Sequence, residues 1–242
     1  MGGVSYYIGE LNPTGHFKPD FMHPAGGIYI RSNPGLRWCY RANVFYGKVS
    51  GNDAFSKSES IRNRNLSFYS ELWEFSGQIE FNFMPFNVLD NSSVFSPYIF
   101  IGLGAFLYNP IGELNGNEYE LRPLRTEGQV EPYGRAALAI PFGTGIKVKF
   151  TDRISAHIEW GVRRTNTDYL DDVSTIYPYP QDLGIIAAGL SNKAIDPNGP
   201  GKHDWGTQRG NSKNNDWYSV AGIGLTFRIS KNYNLCYFNP NY

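Results

Sequence analysis

Three aspartates within five residues, Asp168, Asp171 and Asp172 in Thr167–Tyr177 (TDYLDDVSTIY), are the kind of oxygen donors that a hard cation such as Ca2+ takes from an external loop. The same carboxylates can instead order the loop through Asx turns and pair with Arg163 or Arg164, which is the plainer expectation. Glu127, within Pro123–Gln129 (PLRTEGQ), has the same two uses, and Arg122 and Arg125 beside it favour an ion pair. His203, with Asp204 next to it and Ser191 or Ser212 within reach, has the residue types of a nucleophilic relay, but no nucleophile motif surrounds them. A solvated loop histidine is expected there. His157 lies two residues from Glu159 on a segment whose alternation points both inward. Cys39 and Cys236 have no metal-ligand spacing and are too few for a disulfide framework; a bond between them, or from Cys236 to a partner, is conceivable in an oxidising compartment. No catalytic residue, metal or cofactor is expected from this set.

These residues are set on a chain of 242 residues with 22 basic and 22 acidic side chains, so there is no net field to gather nucleic acid. At 41% hydrophobic it is too apolar to be disordered, yet its mean hydropathy is −0.40 and it has no apolar run of the ~20 residues a membrane helix needs. A strand barrel remains open, because only alternate residues of its strands face lipid. Met1–Glu10 lacks the basic segment and apolar core of a signal peptide, which points to a processed or trimmed chain.

Alternation is the dominant pattern. In Leu66–Phe83, Trp73, Phe75, Ile79, Phe81 and Phe83 share one face, and Glu74, Ser76, Gln78, Glu80 and Asn82 the other. Leu36–Val49 sets Trp38, Tyr40, Val44 and Tyr46 against Arg37, Cys39, Arg41 and Asn43. The segments Leu138–Phe150, the one opening at Ile154, and Asp216–Ile229 repeat this pattern, with Pro141 weakening one ladder position. With Gly2–Leu11, Ala25–Arg31 and Pro97–Asn109 the strands number eight. The spacers alternate between long and short, as they do in an up-and-down barrel with short periplasmic turns and long external loops. The expected fold is all-β: an eight-stranded antiparallel transmembrane barrel over residues 1–230, with both ends in the periplasm and a tail at 231–242.

Eight strands leave an interior that side chains can fill, so an open channel is not expected. Glu74, Glu80 and Glu159 are expected to pair across the lumen with Arg37, Arg41, Lys147, Lys149, Arg163 and Arg228. Trp38, Trp73, Trp160, Tyr40, Tyr46, Phe83 and Phe227 are expected to face lipid.

The succession SYYIGELNP (5–13), RNLSFYSELWE (64–74), SPYIFIGLGAFLYNP (96–110), PLRTEGQ (123–129), IPFGTGIK (140–147), RRTNTDYLDDVSTIY (163–177) and DWYSVAGIGLTF (216–227) resembles the PorG-like outer-membrane barrels of Bacteroidota over nearly the whole chain. Thr126, Glu127, Gly128 and Gln129 with the Asp168–Asp172 motif carry the resemblance most specifically; Val130 stands where the family has Gly. The resemblance implies a non-enzymatic component of the type IX secretion system. Such a barrel sits in outer-membrane lipid and organises a periplasmic ring made of a lipoprotein and its partner subunit. The segment Phe86–Ser96, with Asn87 and Asp90, and the tail Lys231–Tyr242, with Tyr233, Cys236, Tyr237 and Phe238, form the accessible inner face where that ring is expected to bind. The competing class is a lipid-modifying enzyme or surface-binding barrel acting through its long loops.

Overall fold

The computed structural model describes residues 1–12, 19–86 and 93–229, so Asn87, Asp90, Tyr233, Cys236, Tyr237 and Phe238 lie outside the described residues. The strands are β1 (Gly2–Ile8), β2 (His23–Ser32), β3 (Trp38–Asn52), β4 (Ser67–Asn82), β5 (Phe95–Leu114), β6 (Asn117–Glu120), β7 (Ala136–Lys149), β8 (Ile154–Thr165) and β9 (Trp217–Phe227). Antiparallel neighbours run β4-β3-β2-β1-β9-β8-β7-β5, and a β4–β5 pairing closes the sheet into an eight-stranded barrel. β6 stands outside this count. It folds back on the end of β5 through Asn115 and Gly116, both at positive φ, as a two-residue Asn-Gly hairpin requires.

Most of the long strands have the alternation that the sequence predicts, one side chain on the outer wall and the next in the filled interior. Along β4 the burial runs strictly exposed and buried from Glu71 to Glu80, with Trp73, Phe75 and Ile79 outside and Glu74, Gln78 and Glu80 inside. Trp38, Tyr40, Tyr46, Phe83, Trp160 and Phe227 are likewise exposed on the outside. The β5–β7 ladder skips Gly102 and Leu103, opposite Pro141 and Ile140; Pro141 has no N–H to give there.

The strand ends that flank the short connections (32 and 38, 82 and 95, 149 and 154) gather at one end of the barrel and those that flank the long ones at the other. Two short helices, α1 (Glu59–Arg64) and α2 (Leu121–Leu124), and a third, α3 (Ile185–Ser191), belong to the long loops. The interior is layered. Toward the short turns it is charged; toward the loops it is an apolar core of Tyr7, Phe45, Val49, Phe68, Leu72, Phe106, Tyr108 and Tyr218, which Leu121, Leu170, Val173 and Leu190 from the loops extend over the mouth. The sequence reading expected charge throughout and missed this second layer.

Candidate functional site

Two constellations concentrate the polar chemistry of the molecule: the ion network in the lumen and the loop cap above it. In the lumen, Glu80 is fully buried and receives Arg31 at 3.0 Å, Arg41 at 3.1 Å and Lys147 at 2.5 Å. Arg41 reaches on to clamp Glu159 with both terminal nitrogens, at 2.6 and 3.0 Å, and also donates to Gln78. Tyr98 donates its hydroxyl to the same Glu159 at 2.6 Å. Glu74 takes Arg163 at 3.1 Å, the Tyr218 hydroxyl at 2.9 Å and the Ser76 hydroxyl at 2.7 Å. Three carboxylates thus serve four cations, the seven residues coming from five strands, a planar fork-to-carboxylate arrangement for which guanidinium is suited.

Two of the predicted lumen cations, Arg37 and Lys149, bond elsewhere. Arg37 is not in the network: it is exposed in the short turn before β3, and its guanidinium donates to the Phe83 carbonyl at 2.8 Å. Lys149 pairs with Asp152 of the following turn, at 2.9 Å. Arg228 lies past the end of β9, where its backbone N–H donates to Arg153. Arg31, which the sequence reading left out, takes the place that Arg37 was given. His157 stands inside as expected, its ring edge-on to Tyr29 and Tyr98. Cys39 is buried with its sulfur between Asn33, Asn82 and Lys147; Cys236 lies outside the described residues. The space left among Arg41, Glu74, Gln78, Glu159 and Arg163 is about 10 Å³, room for at most one water.

The cap brings the two loop motifs together. Glu127 accepts the backbone N–H groups of Ser174 and Thr175 at 2.8 and 3.0 Å, the Thr175 hydroxyl at 2.7 Å, and Arg209 at 2.9 Å. Thr126 donates to Asp172, which also takes the Tyr133 hydroxyl at 2.7 Å and lies 3.6 Å from Arg209. Gly128 sits at φ +71°, closing a turn onto the Arg125 carbonyl; Gln129 folds back to accept the Glu127 N–H at 3.2 Å. Val130 is 85% exposed and not at positive φ, so nothing here requires the family's Gly. Glu127 is therefore paired with Arg209, not with Arg122 or Arg125, which donate to the Tyr133 and Val130 carbonyls. Arg209 is the residue that sequence reasoning missed, since it sits in a loop with no periodicity.

The aspartates likewise do not pair with Arg163 or Arg164, and they diverge. Asp172 faces Thr126 and Tyr133; Asp171 faces Tyr7; Asp168 is buried beside Ser174. Among the described residues no three acidic, His or Cys side chains converge as a metal would need. The Tyr7 hydroxyl lies 2.6 Å from both Asp171 and Asp216. One hydroxyl has one proton, so a second proton must sit on a carboxyl for both contacts to be hydrogen bonds. Burial, with each carboxylate's repulsion by acidic neighbours, pushes Asp171 and Asp216 well above the ordinary aspartate range, and burial pushes Asp168 up to about 7. A carboxyl raised in the folded state stabilises it fully below its unfolded value and ceases to as pH rises through the folded one. The cap should therefore resist protease less at pH 8.5 than at pH 5, with cleavage inside 166–216 as the readout. Asp171→Asn, whose amide donates to Tyr7 without a titrating proton, should flatten that dependence. Equal or greater protection at pH 8.5 in the unsubstituted protein would contradict the shared proton.

His203 is buried, with Nδ1 3.3 Å from the Tyr177 hydroxyl, and is one of the residues around an open cavity of about 450 Å³ with Glu10, Ser60, Arg64 and Arg209. It is not the solvated loop residue expected from sequence. Asp204 and Ser212 are exposed, and Ser191 gives its carbonyl to Arg209. Among the described residues no serine hydrogen-bonds to His203.

A family model described as a domain of unknown function (DUF6089) matches residues 1–193. No curated protein matches the chain. Among solved structures, the crystal structure of Acinetobacter baumannii CarO2 aligns with 94% of this chain and 97% of its own, at 10% identity and a TM-score of 0.30.

Proposed function

The chain belongs to the DUF6089 family, and we propose that it is a non-enzymatic outer-membrane component of the type IX secretion system, anchoring or organising the periplasmic ring. The observation that carries the non-transporting, structural half of this reading is the lumen, where Glu80 binds three cations in a layer with room for at most one water. A barrel so filled offers its partners surfaces and not a conduit. The belt of exposed Trp38, Trp73, Phe75, Ile99, Leu103 and Ile158 is what outer-membrane lipid would cover. The secretion role and the ring partners rest on the sequence resemblance to PorG-like barrels.

The competing lipid-modifying enzyme would work through the cavity beside His203. Complementing a deletion strain with His203→Ala and Asp204→Ala separates the two readings, with delivery of secreted cargo to the cell surface as the readout. The secretion reading expects full complementation by both variants, and no cargo delivery without the gene. Normal cargo delivery in the deletion strain, or loss of the strain's phenotype-rescue with His203→Ala in a folded barrel, would count against it.

A further inference from the structure

The open cavity of about 450 Å³ in the loop cap has the size of a small-molecule site. Three loops far apart in sequence build it. Glu10 comes from the connection after β1, Ser60, Ile61 and Arg64 from α1, and Lys202, Gln208 and Arg209 from the long connection before β9. The two arginines are a fixed frame. Arg64 forks onto Asp53 through Nε at 2.7 Å and Nη2 at 2.8 Å, and gives Nη1 to the Arg209 carbonyl at 2.8 Å. Arg209 is held in turn by Glu127 at 2.9 Å and the Ser191 carbonyl at 3.0 Å. Glycine shapes the wall at two points. A Cβ on Gly201, at φ +94°, would run into the Ser60 hydroxyl, and one on Gly210 would stand 2.8 Å from Glu10 Oε2 and 2.5 Å from the Ser174 nitrogen.

The distribution of charge decides which ligand fits. Asp53 and Glu127 already meet Arg64 and Arg209 from behind, which leaves the exposed Lys202 against Glu10 and gives an anion no net attraction. The remaining polar groups are mixed. Lys202 donates, Ser60 and the Gln208 amide both donate and accept, and Glu10 accepts. One Glu10 oxygen takes the Asn211 N–H, while among the described residues Oε2 has no hydrogen-bond partner. Ile61 adds one apolar contact. Such a lining matches a neutral molecule whose hydroxyls are each donor and acceptor.

A second feature points the same way. Residues 175–179 and 205–209 pair as a short ribbon: Arg209 N–H donates to the Thr175 carbonyl at 2.8 Å, Tyr177 N–H to Thr207 at 3.0 Å, and Gly206 N–H to Tyr177 at 2.8 Å. The ribbon sets the Tyr177 hydroxyl against His203 beside the cavity. Two residues further along each side, Tyr179 stacks on Trp205, with ring centroids 4.0 Å apart and planes 22° from parallel. Both rings are exposed. A sugar ring has hydroxyls on its rim and C–H groups on its faces, and a flat exposed aromatic surface takes the C–H face.

We propose that this cavity binds a neutral saccharide unit, with the Tyr179–Trp205 pair as the platform for the next unit of the same glycan. Glu10 accepts from one ring hydroxyl, and Lys202 and Gln208 donate to others. The saccharide is either a free sugar or the glycan of an outer-membrane lipid, which share this chemistry. The proposal uses no part of the lumen and is independent of the secretion reading.

The test takes the full chain, purified in an amine-oxide detergent so that no sugar headgroup competes. It is titrated calorimetrically at millimolar concentration with glucose, galactose, mannose, maltose, the polysaccharide released by mild acid from the host's outer-membrane glycolipid, and inorganic phosphate. At least one saccharide should bind at one site per chain, and phosphate should not. Lys202→Ala with Gln208→Ala, both exposed, removes two hydrogen bonds and should weaken that binding about tenfold or more. Cleavage of the cap within 166–216 should stay as in the unsubstituted protein. Trp205→Ala should weaken a di- or polysaccharide more than a monosaccharide; equal weakening overturns the platform's part. Competition by intact glycolipid in phospholipid vesicles assigns the site to the membrane's own glycan, and its absence to a free saccharide. No binding of any of these saccharides, binding untouched by the double variant, or phosphate bound as tightly as any saccharide overturns the proposal.

Discussion

Glu80→Ala should destabilise the barrel by about 3–5 kcal/mol, the cost of stranding a buried charge when its partner is removed. The glutamate is fully buried and is the common acceptor of Arg31, Arg41 and Lys147. Without it the lumen holds four cations against Glu74 and Glu159, and of the three cations only Arg41 keeps a carboxylate. Lys147 retains the Asn82 carbonyl at 2.8 Å, a dipole in place of an ion. Urea unfolding in detergent, followed by heat-modifiable gel mobility, measures the effect. The double variant Glu80→Ala, Lys147→Met should recover part of the loss, since removing both members of a buried pair costs less than removing one. A single variant within about 1 kcal/mol of the unsubstituted protein would mean that water reaches the lumen after all.

Arg209→Ala should have the second largest effect, confined to the cap. Its guanidinium, 3% exposed, joins Glu127, the Asp172 carbonyl and the Ser191 carbonyl, so one side chain ties the TEGQ turn, the aspartate motif and α3 together. Removing it leaves the Glu127 carboxylate buried without a cation. A loss of about 3 kcal/mol in the closed cap is about a hundredfold in its opening equilibrium. Cleavage within 166–216 by a protease limited by opening should quicken by about that factor, while the urea midpoint of the barrel stays put. Arg209→Lys should rescue little, because a single ammonium does not span three acceptors in different directions. Unchanged cleavage in Arg209→Ala would contradict the assignment.

The barrel was legible because its wall repeats one rule. Alternation in β4 assigns Trp73 and Glu74 to opposite faces without any knowledge of neighbours, and spacer parity sorts the two ends. The same rule found Glu74, Glu80, Glu159, Arg41, Lys147 and Arg163. It failed at Arg37, where the alternation of β3 was carried one residue past the strand into the turn. It also passed over Arg31, because the Pro24-Ala-Gly-Gly run at the start of β2 blurs the period. β6 was missed although Asn115-Gly116 is a hairpin signal; it stood inside a segment read as loop. The cap was the least legible part. Glu127 and Arg209 are 82 residues apart, and no local pattern joins two loops that meet only because the barrel brings its long connections to one end.

The secretion role is tested most directly by affinity purification of the tagged protein from its host's outer membranes in mild detergent, with the co-purifying proteins identified by mass spectrometry. The account predicts recovery of the periplasmic ring lipoprotein and its partner subunit of the type IX system. Recovery of the barrel alone, under conditions that keep the ring itself intact, would contradict it.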